Sequence, residues 1–219
     1  TMQTYFIANW KLHKTVTEAQ DFLNKLSTKL IDIQLDGKEI VVCPSFISLS
    51  SVASYIHNHK IPVSIGAQSI SNFAVGAYTG EVCGSQIREF ADYVIVGHSE
   101  RRRFFCETNE IVDHKVIQAK DAGLTVILCV QDENEQIPND ADILAFEPIY
   151  AIGTGNPEDP GRIGEVFKLL REKTKAPLLY GGSVTPDNIS DFKNIPLLSG
   201  FLVGGASIEA DSFIRIISQ

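Results

Sequence analysis

The sequence lacks any apolar run near the roughly 18 residues that a membrane span requires, and no charged-then-apolar leader opens it. It is also poor in positive charge. Nineteen lysines and arginines face 27 acids, for a net charge of -8. That balance argues against nucleic acid and anionic membrane as main partners. Any anionic ligand must therefore be held by local cations and backbone dipoles. The four cysteines (Cys43, Cys83, Cys106, Cys129) are scattered, with no C-x-x-C pair and no histidine spacing typical of zinc. They read as reduced thiols of a cytosolic protein, and a cytoplasmic location is expected. No linker, low-complexity stretch or charge block divides the chain, so residues 1–219 are expected to form a single domain.

What the sequence does contain is a recurrence. Short runs rich in β-branched residues, apolar on both faces, fall at Tyr5–Ala8, Ile40–Cys43, Val63–Gly66, Tyr93–Gly97, Val126–Val130, Ile143–Phe146, Leu178–Gly181 and Phe201–Gly204. Such runs suit strands of a buried parallel sheet. Helical patterns fill most gaps. In Thr17–Leu35, Ala19, Phe22, Leu23, Leu26, Leu30 and Ile33 share one face, and Thr15 or Thr17 caps the start. Asn109–Ala122 ends at Gly123. Gly161–Lys173 and Ser207–Ile217 behave alike, and Val52–His57 is a weaker pattern. Eight strands alternating with helices predict an α/β fold, a closed (β/α)8 barrel, with a doubly wound open sheet as competitor. One gap is anomalous. QDENEQIPNDA, between Val130 and Asp142, is acidic, has almost no apolar face and contains Pro138. The helix between strands five and six is expected to be missing or reduced to a loop.

In such a barrel the chemistry lies at the C-terminal strand ends. These ends offer Asn9-Trp10-Lys11, Gly97-His98-Ser99-Glu100-Arg101, Glu147-Pro148, Gly181-Gly182-Ser183 and Gly204-Gly205-Ala206-Ser207. Glycine turns that lead into helices suit phosphate, because the backbone approaches closely and the free N–H groups carry partial positive charge. Lys11 is expected to project over the mouth, with Glu100 a candidate partner. His98 precedes a helical turn, which favours the neutral imidazole. At least one of Arg101, Arg102 and Arg103 reads as merely solvated. Glu147 ends the buried run Ile-Leu-Ala-Phe, where stability gives little reason for an acid. Partial desolvation is expected to raise its pKa toward the range of a general base.

With these residues, GAYTGEV (76–82), VGHSERR (96–102), EPIYAIGTG (147–155), YGGSV (180–184) and VGGAS (203–207), the sequence closely resembles the triosephosphate isomerase family. The motifs occur in the family's order and span nearly the whole chain. The resemblance implies a TIM barrel. It implies that Glu147 moves a proton between neighbouring carbons of dihydroxyacetone phosphate and glyceraldehyde 3-phosphate, and that neutral His98 polarises the carbonyl. It further implies that Lys11, held by Glu100, neutralises developing charge beside Asn9. Gly153, Ser183, Gly204 and Gly205 resemble the backbone phosphate donors. Residues 148 to about 158 resemble a closing lid. No metal or organic cofactor is implied. The Gln68–Gly84 loop, with Tyr78, Thr79, Gly80 and Glu81, resembles the segment that enters a second subunit, so a homodimer is expected.

Three departures stand out. The crossover after strand five is short, and the connection from strand six to seven looks short compared with the family. In the lid, Tyr150 stands where the family usually has tryptophan, and Pro157 lies in the far hinge. Two other readings stay open on the residues. One is a different phosphosugar barrel, such as an aldolase or a different aldose–ketose isomerase, though the apparent strand interiors hold no lysine for an aldolase's Schiff base. The other is a non-catalytic barrel that binds a phosphate ligand or a protein.

Overall fold

The computed structural model describes residues 3–138, 140–151 and 156–219. Eight parallel strands close on themselves in sequence order: β1 (Thr4–Asn9), β2 (Lys38–Cys43), β3 (Ser64–Ala67), β4 (Tyr93–Val96), β5 (Thr125–Val130), β6 (Ile143–Phe146), β7 (Leu178–Tyr180) and β8 (Leu198–Val203). The ring shuts where β1 pairs with β8, Phe6 opposite Phe201 and Ala8 opposite Val203. Gly200 makes that closure possible. Its φ is +141°, and any Cβ there would collide with the backbone of Tyr5. The open-sheet alternative is thereby excluded.

The strands are apolar on both sides because each faces two cores. Ile7, Val41, Ile95, Ile127, Ala145, Leu179 and Leu202 fill the barrel interior. Their alternates, including Phe6, Val42, Val94, Leu128, Leu144 and Val203, pack outward against helices. Those helices are α1 (Val16–Leu30), α2 (Phe46–His59), α3 (Gly84–Arg88), α4 (Ser99–Phe104), α5 (Asn109–Asp121), α6 (Pro160–Lys173) and α7 (Ala210–Ile217).

Of the two candidate caps for α1, Thr15 serves. Its hydroxyl accepts from Glu18 N while the Glu18 carboxylate accepts from Thr15 N at 2.7 Å. The helix stops short of the expected Leu35, because Asp32 and Asp36-Gly37 favour turns. By contrast α2 is longer than its weak pattern, since serines and an asparagine dilute the apolar stripe. The segment feeding α7 begins with a 3-10 turn, Gly205–Ser207, and the α-helix itself starts only at Ala210. The connection from β6 to β7 holds the 14-residue α6.

The β5–β6 connection behaves as its composition predicts. Among its described residues there is no helix, only turns and bends. It is strapped down instead. Arg162 and Lys173 of α6 reach the Glu133 carboxylate (2.7 Å) and the Glu133 carbonyl (2.5 Å). Lys120 of α5 pairs with Asp142 at 2.7 Å, and Asp142 also accepts from Val126 N of β5 at 2.8 Å. Ile137 and Ala141 tuck against the outer core. The β7–β8 connection is a second thin place. It holds only a 3-10 helix, Ile189–Phe192, in a stretch with prolines at 186 and 196. The sequence reading did not single it out.

Candidate active site

The C-terminal ends of β1, β4, β6, β7 and β8 enclose a cleft of about 200 Å³, lined among others by Asn9, Lys11, His98, Glu147, Ser183, Gly204 and Gly205. The sequence-predicted residues thus converge, except Gly153, which lies outside the described residues.

Lys11 follows β1 with φ +54°, a left-handed backbone that a lysine adopts only when its surroundings hold it. The holding contacts are visible. Lys11 N donates to Asn9 Oδ1 at 3.1 Å, and the Gln68 amide donates to both Lys11 O and Cys43 O at 2.9 Å. Gln68 was read from sequence only as the start of the loop expected to enter a second subunit, and nothing in its neighbours marked it as a clamp. The resulting pose sends Lys11 Nζ to Glu100 Oε1 at 2.6 Å, the pairing expected.

His98 is the N-cap of α4, and its Nδ1 accepts from Glu100 N at 3.1 Å. An N–H aimed at Nδ1 leaves no place for a proton there, so the ring carries its proton on Nε2 and is neutral in this tautomer. Nε2 lies 3.0 Å from Glu147 Oε1. Burial on its own lowers the imidazole pKa, but the Glu147 carboxylate outweighs it and the net direction is upward. The expected lowering is therefore overridden by the partner.

Glu147 is 1% exposed. Its Oε2 accepts from Ser99 N at 3.0 Å. Burial pushes its pKa up, as expected, yet His98, the Ser99 N–H and Lys11 together pull it below the ordinary carboxylate value. The expectation of a raised pKa is corrected, because it counted desolvation and not the donors. The strand end fixes the carboxylate from a second side: a Cβ at Gly181 would press within 2.9 Å of Glu147 Cγ, so β7 runs directly against it. Cys129 of β5 lies in hydrogen-bonding contact beneath. Its thiol stays protonated through burial first and the Glu147 charge second. It had been read merely as a reduced thiol within a strand.

At the opposite end of the cleft, Ser183 Oγ donates to Ala151 O at 2.5 Å, and Asn188 Nδ2 donates to Ser183 O at 2.8 Å. Gly204 abuts the Lys11 side chain, and Gly205 faces open space with nothing within 4 Å of a built Cβ. Of the arginines, Arg103 is exposed beside Phe104 and is the solvated one expected. Arg101 binds buried Glu107 at 2.5 Å. Among the described residues no group of three or more His, Cys, Asp or Glu side chains has a metal-holding arrangement, and no helix is long and apolar enough to cross a membrane.

The Gln68–Gly84 loop projects from the same end as the cleft. Tyr78 stacks on Phe73 at 4.1 Å, and Phe73, Val75 and Tyr78 are solvent-exposed. Thr79, Gly80 and Glu81 are exposed too. Leu12, Phe46 and Ile47, just beyond the neighbouring strands β1 and β2, add further exposed apolar surface.

The family profile described as triosephosphate isomerase matches residues 4–219. A triosephosphate isomerase of Picosynechococcus sp. is 39% identical over 96% of this chain and 96% of its own length. That of Dehalococcoides mccartyi is 35% identical over 99% and 96%. The crystal structure of triosephosphate isomerase from Bartonella henselae superposes with a TM-score of 0.85 at 27% identity, covering 98% of both chains.

Proposed function

The chain belongs to the triosephosphate isomerase family, and we propose how its residues interconvert dihydroxyacetone phosphate and glyceraldehyde 3-phosphate. The observation that carries the reading is the 3.0 Å contact between His98 Nε2 and Glu147 Oε1, set beside Lys11 in one cleft. Base and proton donor now satisfy each other. A substrate entering between them takes over both bonds: its carbonyl oxygen accepts from His98 Nε2–H, and the adjacent C–H meets the Glu147 carboxylate. Glu147 removes that proton, and the electron pair moves into a carbon–carbon double bond and onto the oxygen as an enediolate. Lys11 and His98 stabilise the developing negative charge. Return of the proton from Glu147 to the neighbouring carbon, with the oxygen-bound protons exchanged through His98, completes the isomerisation. The step consumes no electron donor or acceptor.

Asn9 shapes the pocket and positions Lys11, and Glu100 aims the ammonium. Ser183, Gly153, Gly204 and Gly205 serve the phosphate end, where backbone N–H groups suit a dianion. Residues 148–158 form a lid, and its closure keeps water from the enediolate, which would otherwise lose phosphate. Two chains assemble as a homodimer through the Gln68–Gly84 loop, with Tyr78, Thr79, Gly80 and Glu81 at the contact. The exposed Phe73, Val75, Leu12 and Ile47 support that assignment, since a surface so apolar favours burial. On this reading the enzyme belongs to glycolysis and gluconeogenesis and, with them, to the cytoplasm.

A coupled assay with glyceraldehyde 3-phosphate tests the reading. Wild type turns over, and Glu147→Asp, which retracts the carboxylate by one methylene, loses about 100-fold in kcat. Absence of turnover, or an unimpaired variant, sinks the assignment. Sedimentation at micromolar concentration tests the dimer, and a monomeric mass rejects it.

A further inference from the structure

Arg102 takes no part in the reaction described above, yet it is well occupied. Its Nε donates to Gly97 O at 2.9 Å, the carbonyl immediately before His98. Its Nη1 donates to Asn109 Oδ1 at 2.7 Å, at the first turn of α5. Its Nη2 reaches Glu135 Oε2 at 3.2 Å. Both partners of that last bridge have side chains only 15% exposed. Glu135 belongs to the β5–β6 strap, and its other oxygen accepts from Gln131 N at 2.7 Å, just past the end of β5. One guanidinium fork therefore ties α5 and the β5–β6 strap to the turn that presents His98, and Glu135 closes the fork.

We propose that Glu135, on the connection that has lost its helix, is a positioning residue for His98, acting through Arg102 and the Gly97 carbonyl. A planar fork with three engaged nitrogens has little freedom. Removing the Glu135 charge frees one arm and lets the guanidinium rotate. Gly97 has φ +71° and hence a permissive backbone, so its carbonyl can follow. His98 Nε2 then drifts from the position that the reacting oxygen requires. Glu133 provides the internal control. It holds the same strap, but to Arg162 of α6 and not to the site.

The inference rests on the isomerase reading, which wild-type turnover in the same assay tests separately. The experiment compares Glu135→Gln with Glu133→Gln for kcat, KM, thermal midpoint and the His98 imidazole ¹⁵N shifts. Glu135→Gln is expected to lower kcat about tenfold with KM within about twofold, and to move the His98 resonances. Glu133→Gln is expected to leave kcat and those resonances unchanged even where its thermal midpoint falls. Arg102→Lys keeps the charge but not the fork and is expected to reproduce the kcat loss, which covers the case in which Glu135→Gln fails to fold. Equal kcat changes in the two glutamine variants, unshifted His98 resonances in Glu135→Gln, or an unimpaired Arg102→Lys overturns the proposal.

Discussion

Two sides of the barrel reach the same burial by different means. Around β1 and β2, helices α1, α2 and α7 cover the strands with Phe22, Leu23, Leu26, Val52 and Phe213. Around β5 and β6 the covering helix is replaced by an acidic strap held by Arg102, Lys120, Arg162 and Lys173. Yet Ile143, Leu144, Ala145 and Phe146 of β6 are as buried as the strands on the helical side. A barrel strand is fixed chiefly by its two ladder partners and the interior layer. An outer helix adds apolar area, but a few aimed charges can take over the sealing. Glu147 thus stands on a strand that has lost its helix and neither its burial nor its ladder partners.

The first way to break that comparison is to remove packing from the helical side. Leu26→Ala empties a fully buried site in α1 and is expected to cost about 2–5 kcal/mol of unfolding free energy. kcat should be nearly unchanged, because the hydrogen-bond partners of Lys11 and Glu147 (Asn9, Gln68, Glu100, His98 and Ser99) all lie outside α1. Chemical denaturation read beside turnover checks both halves.

On the strapped side the expected loss is smaller and of another kind. Asp142→Ala leaves Val126 N without its side-chain acceptor and Lys120 without its partner. It should cost about 1–3 kcal/mol, the price of an unsatisfied, partly buried donor. If Asp142→Ala proved as costly as Leu26→Ala, the strap would be the main support of β6 and the two sides would not be equivalent in kind. If it cost nothing, the ladder alone would suffice.

A third test concerns the charge that this side carries. Glu147→Gln removes the carboxylate that raises the His98 pKa and leaves burial, which disfavours the imidazolium, in command. The His98 pKa should fall below its ordinary value. An NMR titration reads it, and an unchanged pKa would mean that Glu147 does not govern the ring.

These outcomes bear on what was legible in the sequence. The closed barrel and the missing β5–β6 helix could be read, because periodicity and composition are local: Ile143–Phe146 is apolar in a row, and QDENEQIPNDA offers no apolar face. The convergence of Lys11, His98, Glu147 and the glycine turns followed from the rule that strand ends share one mouth. What escaped depends on contacts across the fold. Gln68 clamping Lys11, Cys129 beneath Glu147 and Glu135 closing on Arg102 join residues far apart in the chain, with no spacing to announce them. The same blindness misjudged the Glu147 pKa. Desolvation can be guessed from a buried run, whereas the His98 ring and the Ser99 N–H that offset it come from another strand end.

The smallest expected effect lies in the proposed lid, four of whose residues, 152–155, lie outside the described residues. Its near end stands on β6 at Glu147-Pro148. Its far end enters α6, where Glu158 N donates to Tyr180 OH at 2.8 Å and Asp159 caps the helix. Pro157 sits just before that anchor, and its ring fixes φ, removing one torsion from the hinge. If the strapped side compensates for its lost helix by rigidity throughout, the stiff far hinge is part of the same pattern. Pro157→Ala restores the torsion and should change the lid closing rate by about two- to fivefold, consistent with the ~0.4–1 kcal/mol of backbone freedom that one proline removes. Relaxation dispersion on the backbone amides flanking the lid measures that rate. An unchanged rate would locate the hinge elsewhere and confine the rigidity to β6 and its strap.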